Sequence, residues 1–232
     1  MSKKEYYTIS KNVSKILQGK NTNFLDPAML KKVTAKLKKE AYKIYYPYQD
    51  SERALLYVEK IPKIDLVEII SDEKLEHREI MGTLYNLSIK TEMFGDIIIN
   101  NGQYYIIIMD SIHDILMKEV NKIGNKKVRL INIPLENIKN FKTNYEEIKI
   151  IVPSLRIDAV VAKITKESRN SVKKKFDNND IILNYETCNK QTHILKENDI
   201  FSIRKYGKYK FEEIMKKNKK DNYVILINKY SN

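Results

Sequence analysis

With 232 residues, 42% of them hydrophobic and 31% charged, the chain has the composition of a folded globular protein, which excludes a disordered or fibrous one. It has one cysteine, Cys188, so an intramolecular disulfide and a cysteine-rich zinc site are excluded. The 43 Lys and Arg exceed the 30 Asp and Glu by a net charge of +13, which favours nucleic acid or an anionic membrane surface as the partner.

Residues 1–61 predict an N-terminal domain made of helices and a hairpin. A short helix is expected over 10–17, and Asp26 followed by Pro27 predicts the cap and first residue of a second helix with an apolar face that extends to Ala41. The lysines around this helix fit either a solvated face or a phosphate-facing one. Two β-rich runs follow and predict a hairpin, at 42–48 and 54–60.

Residues 62–150 predict a second domain in which strands and helices follow the order βαββαβ. The six segments are strand 64–70, helix 75–87, strand 96–99, strand 104–109, helix 112–123 and strand 128–133. Asn101-Gly102 predicts a tight hairpin, and Gly124 is expected to end the second helix. The order predicts a ferredoxin-like, RNA-recognition-like fold and hence an α+β protein.

RNA recognition motifs share this topology and stack bases on aromatic side chains of a central strand. Tyr104 and Tyr105 lie on the expected central strand, and alternation sends one to each face, so at most one can stack on a base. We expect packing rather than stacking, because the glycine and aromatic signature of those motifs is missing. Gly82 lies inside the preceding helix, where it predicts close packing or a backbone approach.

Residues 151–232 carry 18 basic and 10 acidic side chains and predict the most strongly cationic domain. A helix from Leu155 and a second helix capped by Ser168 are expected to pack on a short sheet. The expected strands are 181–184, 200–204 and 223–227, and the lysine run 216–220 is expected to form a loop.

This region resembles the alpha-L RNA-binding motif, also named after ribosomal small-subunit protein four. The resemblance rests on five groups of residues in the motif's order: Leu155-Arg156-Ile157-Asp158, Ser168-Arg169, Ile181-Ile182-Leu183-Asn184, Leu195, and Asp199-Ile200-Phe201-Ser202-Ile203-Arg204. It implies recognition of structured RNA.

Residues along nearly the whole chain resemble the YlmH-type family. They are Phe24-Leu25-Asp26-Pro27, Ser51-Glu52-Arg53, Leu75-Glu76-His77-Arg78, Gly82, Ile89-Lys90, Gly95-Asp96-Ile97, Ile123-Gly124 and Val152 to Val160. The resemblance implies a cytoplasmic, non-enzymatic translation factor that binds rRNA or tRNA on the large ribosomal subunit. It further implies ribosome-associated quality control of stalled peptidyl-tRNA complexes, with alanine tailing of the stalled chain.

The candidate RNA-binding residues combine cationic side chains with a helix N-terminus, which is a favourable place for phosphate. They are Arg156, Lys163, Ser168, Arg169, Lys173, Arg204 and Lys208, with a possible second RNA surface at His77, Arg78 and Lys90. Two alternatives stay open, since Ser168 can act purely as a cap and Arg156 can pair with Asp158.

Catalytic motifs were sought and none is present, neither a Gly-rich phosphate loop nor a nucleophile or zinc signature. We therefore expect no enzyme, no cofactor, no metal and no small-molecule substrate. We also expect a monomer without membrane insertion, since no apolar run approaches the roughly 20 residues of a membrane helix. Two alternatives remain, an RNA-modifying enzyme of the pseudouridine synthase or methyltransferase type and a membrane or cell-division adaptor.

Overall fold

The computed structural model describes residues 2–100, 102–141 and 145–230. It divides the chain into two compact units that meet in sequence between residues 143 and 144. The regions that the sequence assigns to an N-terminal and a middle domain lie together in the first unit. The second unit begins earlier than the expected boundary at 150, because the strand at Tyr145–Val152 belongs to its sheet.

The N-terminal region of the first unit contains two helices and a hairpin: α1 Lys3–Leu17, α2 Pro27–Thr34, a 3₁₀ turn at Lys39–Ala41, β1 Lys43–Tyr45 and β2 Leu55–Tyr57. Asp26 caps α2 as predicted, since its Oδ1 accepts a hydrogen bond from the N–H of Met29 at 2.7 Å. Helix α1 starts earlier than expected, because Ser2 accepts a hydrogen bond from the N–H of Glu5 and caps it.

The middle region of the first unit contains β3 Ile64–Ile70, α3 His77–Asn86, β4 Phe94–Asn100, β5 Gln103–Met109, α4 His113–Glu119, β6 Lys122–Ile123, β7 Lys126–Lys127 and β8 Arg129–Ile133, with 3₁₀ turns at Thr91–Met93, Asp110–Ile112 and Leu135–Asn140. Four strands form an antiparallel sheet in the order β4-β5-β3-β8. This order confirms the ferredoxin-like prediction. Asn101 of the predicted Asn101-Gly102 turn lies outside the described residues, and Gly102 has φ +80° beside the Asn100–Gln103 pair.

The second helix of the middle region is shorter than the sequence suggests. Helix α4 ends at Glu119, and the following residues form the hairpin β6–β7 instead of a further helical turn. Gly124 has φ +59° in the turn of that hairpin, so its prediction as the helix terminus is wrong. Val120 and Ile123 are still buried, at 7% and 1% exposure, which explains why their spacing resembled a helical stripe.

Both faces of the four-stranded sheet are covered. Helices α3 and α4 pack on one face, where Tyr104 is 4% exposed and its hydroxyl accepts a hydrogen bond from the N–H of Leu75 at 2.9 Å. On the other face, Tyr105 is 6% exposed and its ring centroid lies 4.5 Å from that of Phe141. Further side chains close this second face: Phe24, Leu55, Ile138, Tyr45 and Tyr48. The two tyrosines therefore pack on opposite faces, as predicted, and neither offers an open ring for stacking.

The second unit contains β9 Tyr145–Val152, α5 Ile157–Thr165, α6 Arg169–Asp177, β10 Ile181–Leu183, β11 Glu186–Thr187, β12 Ile200–Ile203, β13 Gly207–Lys217 and β14 Tyr223–Tyr230. The strands form one antiparallel sheet in the order β11-β10-β12-β13-β14-β9, and helices α5 and α6 share its hydrophobic core. Strands β9 and β13 were not predicted. The expected loop 216–220 is partly wrong, since Lys216 and Lys217 lie in β13.

Candidate RNA interface

Helix α6 begins with the residues that the sequence singled out most clearly. Ser168 is its cap, and the Ser168 hydroxyl accepts a hydrogen bond from the N–H of Ser171 at 3.2 Å. Val172 and Phe176 are buried and fix the helix on the sheet, which leaves Arg169 and Lys173 exposed one turn apart. Within the part of the chain that the structure describes, neither cation has an ion-pair partner.

Arg156 stands at the cap position of α5 and is held by a neighbouring carboxylate. Its Nε donates to Asp158 Oδ1 at 3.1 Å, and a second guanidinium nitrogen binds the other carboxylate oxygen. This bond raises the pKa of Arg156. The local pairing left open by the sequence is therefore present, although the Arg156 side chain stays 43% exposed.

Arg204 follows β12 and is also paired. Its NH1 lies 3.3 Å from Asp180 Oδ1, beyond the end of α6, and its side chain is 74% exposed. The same turn carries Tyr206, whose hydroxyl donates to Glu167 at 2.7 Å. This hydrogen bond, assisted by Lys175, lowers the pKa of Glu167. The turn is thus fastened by polar contacts to the residues that flank the two ends of α6.

The predicted residues do not form one continuous patch. Lys175 contacts the turn of Arg204 through the Tyr206 ring, at 4.8 Å from its centroid. Lys175 lies about 120° round the helix axis from Arg169, so the turn borders the opposite flank of α6. Lys163 is exposed on α5 and has no ion pair with any residue among those described. Arg169 and Lys173 are the only predicted pair that the helix geometry places side by side.

Lys208 lies on β13 among aromatic rings that the sequence analysis did not single out. Its Nζ lies 4.8 Å from the ring centroid of Tyr185 and 4.6 Å from that of Tyr230. The Tyr230 ring in turn meets Tyr145 edge-on at 5.0 Å. The strand pairing of Lys208 with Ser202 turns this side chain away from the core residue Tyr209. These cation–π contacts give Lys208 a role in stabilising the sheet that does not depend on RNA.

The possible second RNA surface lies around the first turn of α3. His77 and Arg78 are exposed there, and Arg78 Nε is 2.7 Å from Glu76 Oε2. Lys90 is exposed before the 3₁₀ turn that precedes β4. The structure therefore places the first two residues together and Lys90 on a separate segment.

A partly buried polar cluster joins two segments that the family resemblance had highlighted separately. Asp96 Oδ2 accepts hydrogen bonds from the Ser51 hydroxyl at 2.8 Å and from the N–H of Glu52 at 3.0 Å. Arg53 lies over the Phe94 ring, 5.6 Å from its centroid. Burial raises the pKa of Asp96 despite these donors. The cluster ties the loop between β1 and β2 to the sheet.

Among residues 2–100, 102–141 and 145–230, no group of three or more His, Cys, Asp or Glu is arranged to hold a metal ion. None of the helices in the described segments combines the length and the apolar character needed to cross a bilayer.

The middle region of the chain is similar to a known family of domains. Residues 62–137 match the family model described as "Putative RNA-binding domain in YlmH". Over 219 residues the chain is 26% identical to a Bacillus subtilis (strain 168) protein, "Ribosome-associated protein quality control protein P2", with 89% of this chain and 85% of the relative aligned. The chain is thus similar to YlmH over residues 62–137 and to the Bacillus subtilis protein over most of its length. A solved structure from Streptococcus pneumoniae, "Cell division protein ylmH", is 25% identical, covers 60% of this chain and 97% of its own, and superposes with a TM-score of 0.48.

Proposed function

We propose that the chain is a non-enzymatic RNA-binding protein that acts on the ribosome. The family match of residues 62–137 supports RNA binding, and the name of the Bacillus subtilis relative supports a ribosomal role. The net charge of +13 suits a polyanionic partner. In this role the protein binds rRNA, tRNA or both on the large ribosomal subunit in the cytoplasm, during quality control of stalled peptidyl-tRNA complexes that undergo alanine tailing.

The second unit supplies an alpha-L motif in this proposal. The observation that carries it is the exposed pair Arg169 and Lys173, which stands beside the N-terminus of α6 without an ion-pair partner in the described chain. A helix N-terminus with two adjacent cations attracts phosphate oxygens. A positive side chain at that end opposes the helix dipole, so Arg169 does not serve helix stability.

The paired arginines contribute less in the same proposal. Arg156 and Arg204 are exposed enough to reach an RNA phosphate, but each must first exchange a carboxylate partner, Asp158 or Asp180. When an arginine exchanges a carboxylate for an RNA phosphate, the broken ion pair offsets part of the binding free energy of the new contact. We therefore rank Arg169 and Lys173 above Arg156 and Arg204 as determinants of affinity.

The test is co-sedimentation of the full chain with large ribosomal subunits across a salt series. Replacing both Arg169 and Lys173 by Ala should weaken binding about tenfold near 0.1 M salt, which corresponds to about 1.4 kcal/mol. The slope of log affinity against log salt should become shallower by about 1.5, since each phosphate contact contributes about 0.7–0.9. The melting temperature should not fall, because both side chains are exposed and removal of Arg169 relieves its opposition to the helix dipole.

The matched control replaces Lys219 and Lys220, two exposed cations in the turn before β14, by Ala. It removes the same charge and should retain the affinity of the wild type to within a factor of about two. If both variants lose affinity equally, binding depends on net charge alone, and the assignment of the RNA-binding surface to α6 is refuted. A wild-type protein that binds neither ribosomal particles nor tRNA at low salt would refute the proposed function itself.

A further inference from the structure

The hairpin β6–β7 carries cations whose arrangement is not explained by stability. Lys122 and Lys127 are direct cross-strand partners, and both are exposed. Like charges placed opposite one another on neighbouring strands destabilise a sheet. Neither lysine side chain has a hydrogen bond or an ion pair with any residue in the described part of the chain. The described residues of this unit therefore leave the repulsion uncompensated.

The other side of the same hairpin is firmly attached to helix α3. Ile123 is 1% exposed in the core, and Lys126, its cross-strand partner, donates to both carboxylate oxygens of Glu79 at 2.8 and 2.7 Å. Lys126 also donates to the carbonyl oxygen of Lys74 at 2.8 Å. Because successive side chains of a strand alternate, this anchoring turns Lys122 and Lys127 away from α3.

Arg129 extends the outward face. Val128 packs against the core cluster, so Arg129 shares the side of Lys127, and it is exposed at the start of β8. Two residues along an extended strand span about 6.6 Å, which lets Lys127 and Arg129 contact separate anionic groups. The segment 118–129 holds five basic side chains and one acidic side chain, Glu119.

We propose that the outward face of this hairpin, formed by Lys122, Lys127 and Arg129, binds RNA phosphates. The inference rests on the proposed function and locates the RNA contact of the middle region. The sheet face that an RNA recognition motif would use is closed by Phe24, Leu55 and Ile138. Phosphate oxygens neutralise facing lysines, and such contacts position an RNA without reading its bases.

The test replaces Lys122 and Lys127 by Gln in the full chain and measures large-subunit binding and thermal unfolding together. Binding should weaken about tenfold near 0.1 M salt, and the salt slope should become shallower by about 1.5. Removal of the facing charges should leave the melting temperature unchanged or raise it. The variant Lys219→Gln with Lys220→Gln removes the same charge elsewhere and should bind like the wild type.

A second variant separates RNA binding from structure. Lys122→Glu places opposite charges across the hairpin, so the melting temperature should rise. RNA binding should fall about as far as in the Gln variant, because both variants remove two units of positive charge. If the wild type binds measurably and both hairpin variants bind with the same affinity and salt slope as the wild type, this inference is overturned and the proposed function stands. Hairpin variants that lose binding to anionic phospholipid vesicles but keep RNA binding would overturn it as well.

Discussion

Asp96 shows how a single carboxyl group couples the N-terminal region to the sheet. It lies beneath the loop between β1 and β2 and accepts hydrogen bonds from Ser51 and Glu52. Burial disfavours its charged form more strongly than these two donors favour it, so its pKa lies above the ordinary value of 3.8. The folded state then binds a proton more tightly than the unfolded state, and the stability of the unit depends on pH.

The sign of this dependence gives the first prediction at the residue scale. A raised pKa in the folded state means that stability is greatest when Asp96 is protonated and declines as pH rises from about 3.8 through the folded pKa. Asp96→Asn keeps an oxygen acceptor for Ser51 and cannot ionise. We therefore expect the free energy of unfolding of the variant, relative to wild type, to increase as pH rises through that window. Denaturant unfolding at several pH values measures it.

A relative stability that does not change over that range would show that Asp96 titrates normally. Ser51→Ala provides a matched control, because it removes a donor to the same oxygen without removing the titrating group. The loss of that hydrogen bond should raise the folded pKa further and steepen the decline of stability with pH.

Helix α3 carries a glycine whose presence the packing does not require. A Cβ added at Gly82 would meet no atom within 4 Å, so the expected close packing around this residue is wrong. We predict that Gly82→Ala stabilises the protein by about 0.5–1 kcal/mol, because alanine restricts the unfolded chain and favours the helix. The melting temperature should rise by about 1–4 °C in a calorimetric scan.

Gly95 on strand β4 is the matched contrast to Gly82. A Cβ at this position would lie 3.0 and 3.1 Å from two ring atoms of Phe24 and 3.3 Å from Ile107 Cβ. Phe24 is 1% exposed and has little room to move. Gly95→Ala should therefore destabilise the protein by about 1–3 kcal/mol through overpacking. A melting temperature that falls in Gly82→Ala as it does in Gly95→Ala would contradict the open space found at Gly82.

Local signals predicted most elements whose pattern is regular, although strands β9 and β13 of the second unit were missed. The cap residues Asp26 and Ser168 are both confirmed, since their bonds are formed within three residues. Strand β13 was missed because register shifts near Phe211 and Ile214 interrupt its alternation. Strand β9 alternates Ile148, Ile150 and Val152, a signal that was present in the sequence and was not used.

The candidate site was predictable only as far as its contacts are local. The pairing of Arg156 with Asp158 spans two residues and was foreseen as an alternative. Arg204 meets Asp180 across 24 residues, and no spacing rule connects them. The opposition of Lys122 and Lys127 depends on a hairpin in a segment that was predicted as the end of a helix and the connection after it. Surface cations were thus identified, but their partners required the fold.

At the scale of the whole molecule, the sheet order and core of the second unit define its boundary. Strand β9 pairs along its entire length with β14, and Ile150 and Val152 lie in the same core as Ile225 and Ile227. A boundary at 150 would cut this strand in two and leave β14 as an unpaired edge. An exposed apolar edge strand tends to associate with other chains.

Two fragments test this boundary. We predict that residues 144–232 fold alone and unfold cooperatively, because their two helices and five of the strands in their sheet share one core. Residues 151–232 should be less stable by about 2–5 kcal/mol, since Ile148 and Ile150 no longer pack and the β14 ladder is lost. Circular dichroism melting and size-exclusion chromatography compare the two. If the two fragments have equal melting temperatures and are both monomeric, β9 is dispensable and the domain boundary lies at 150.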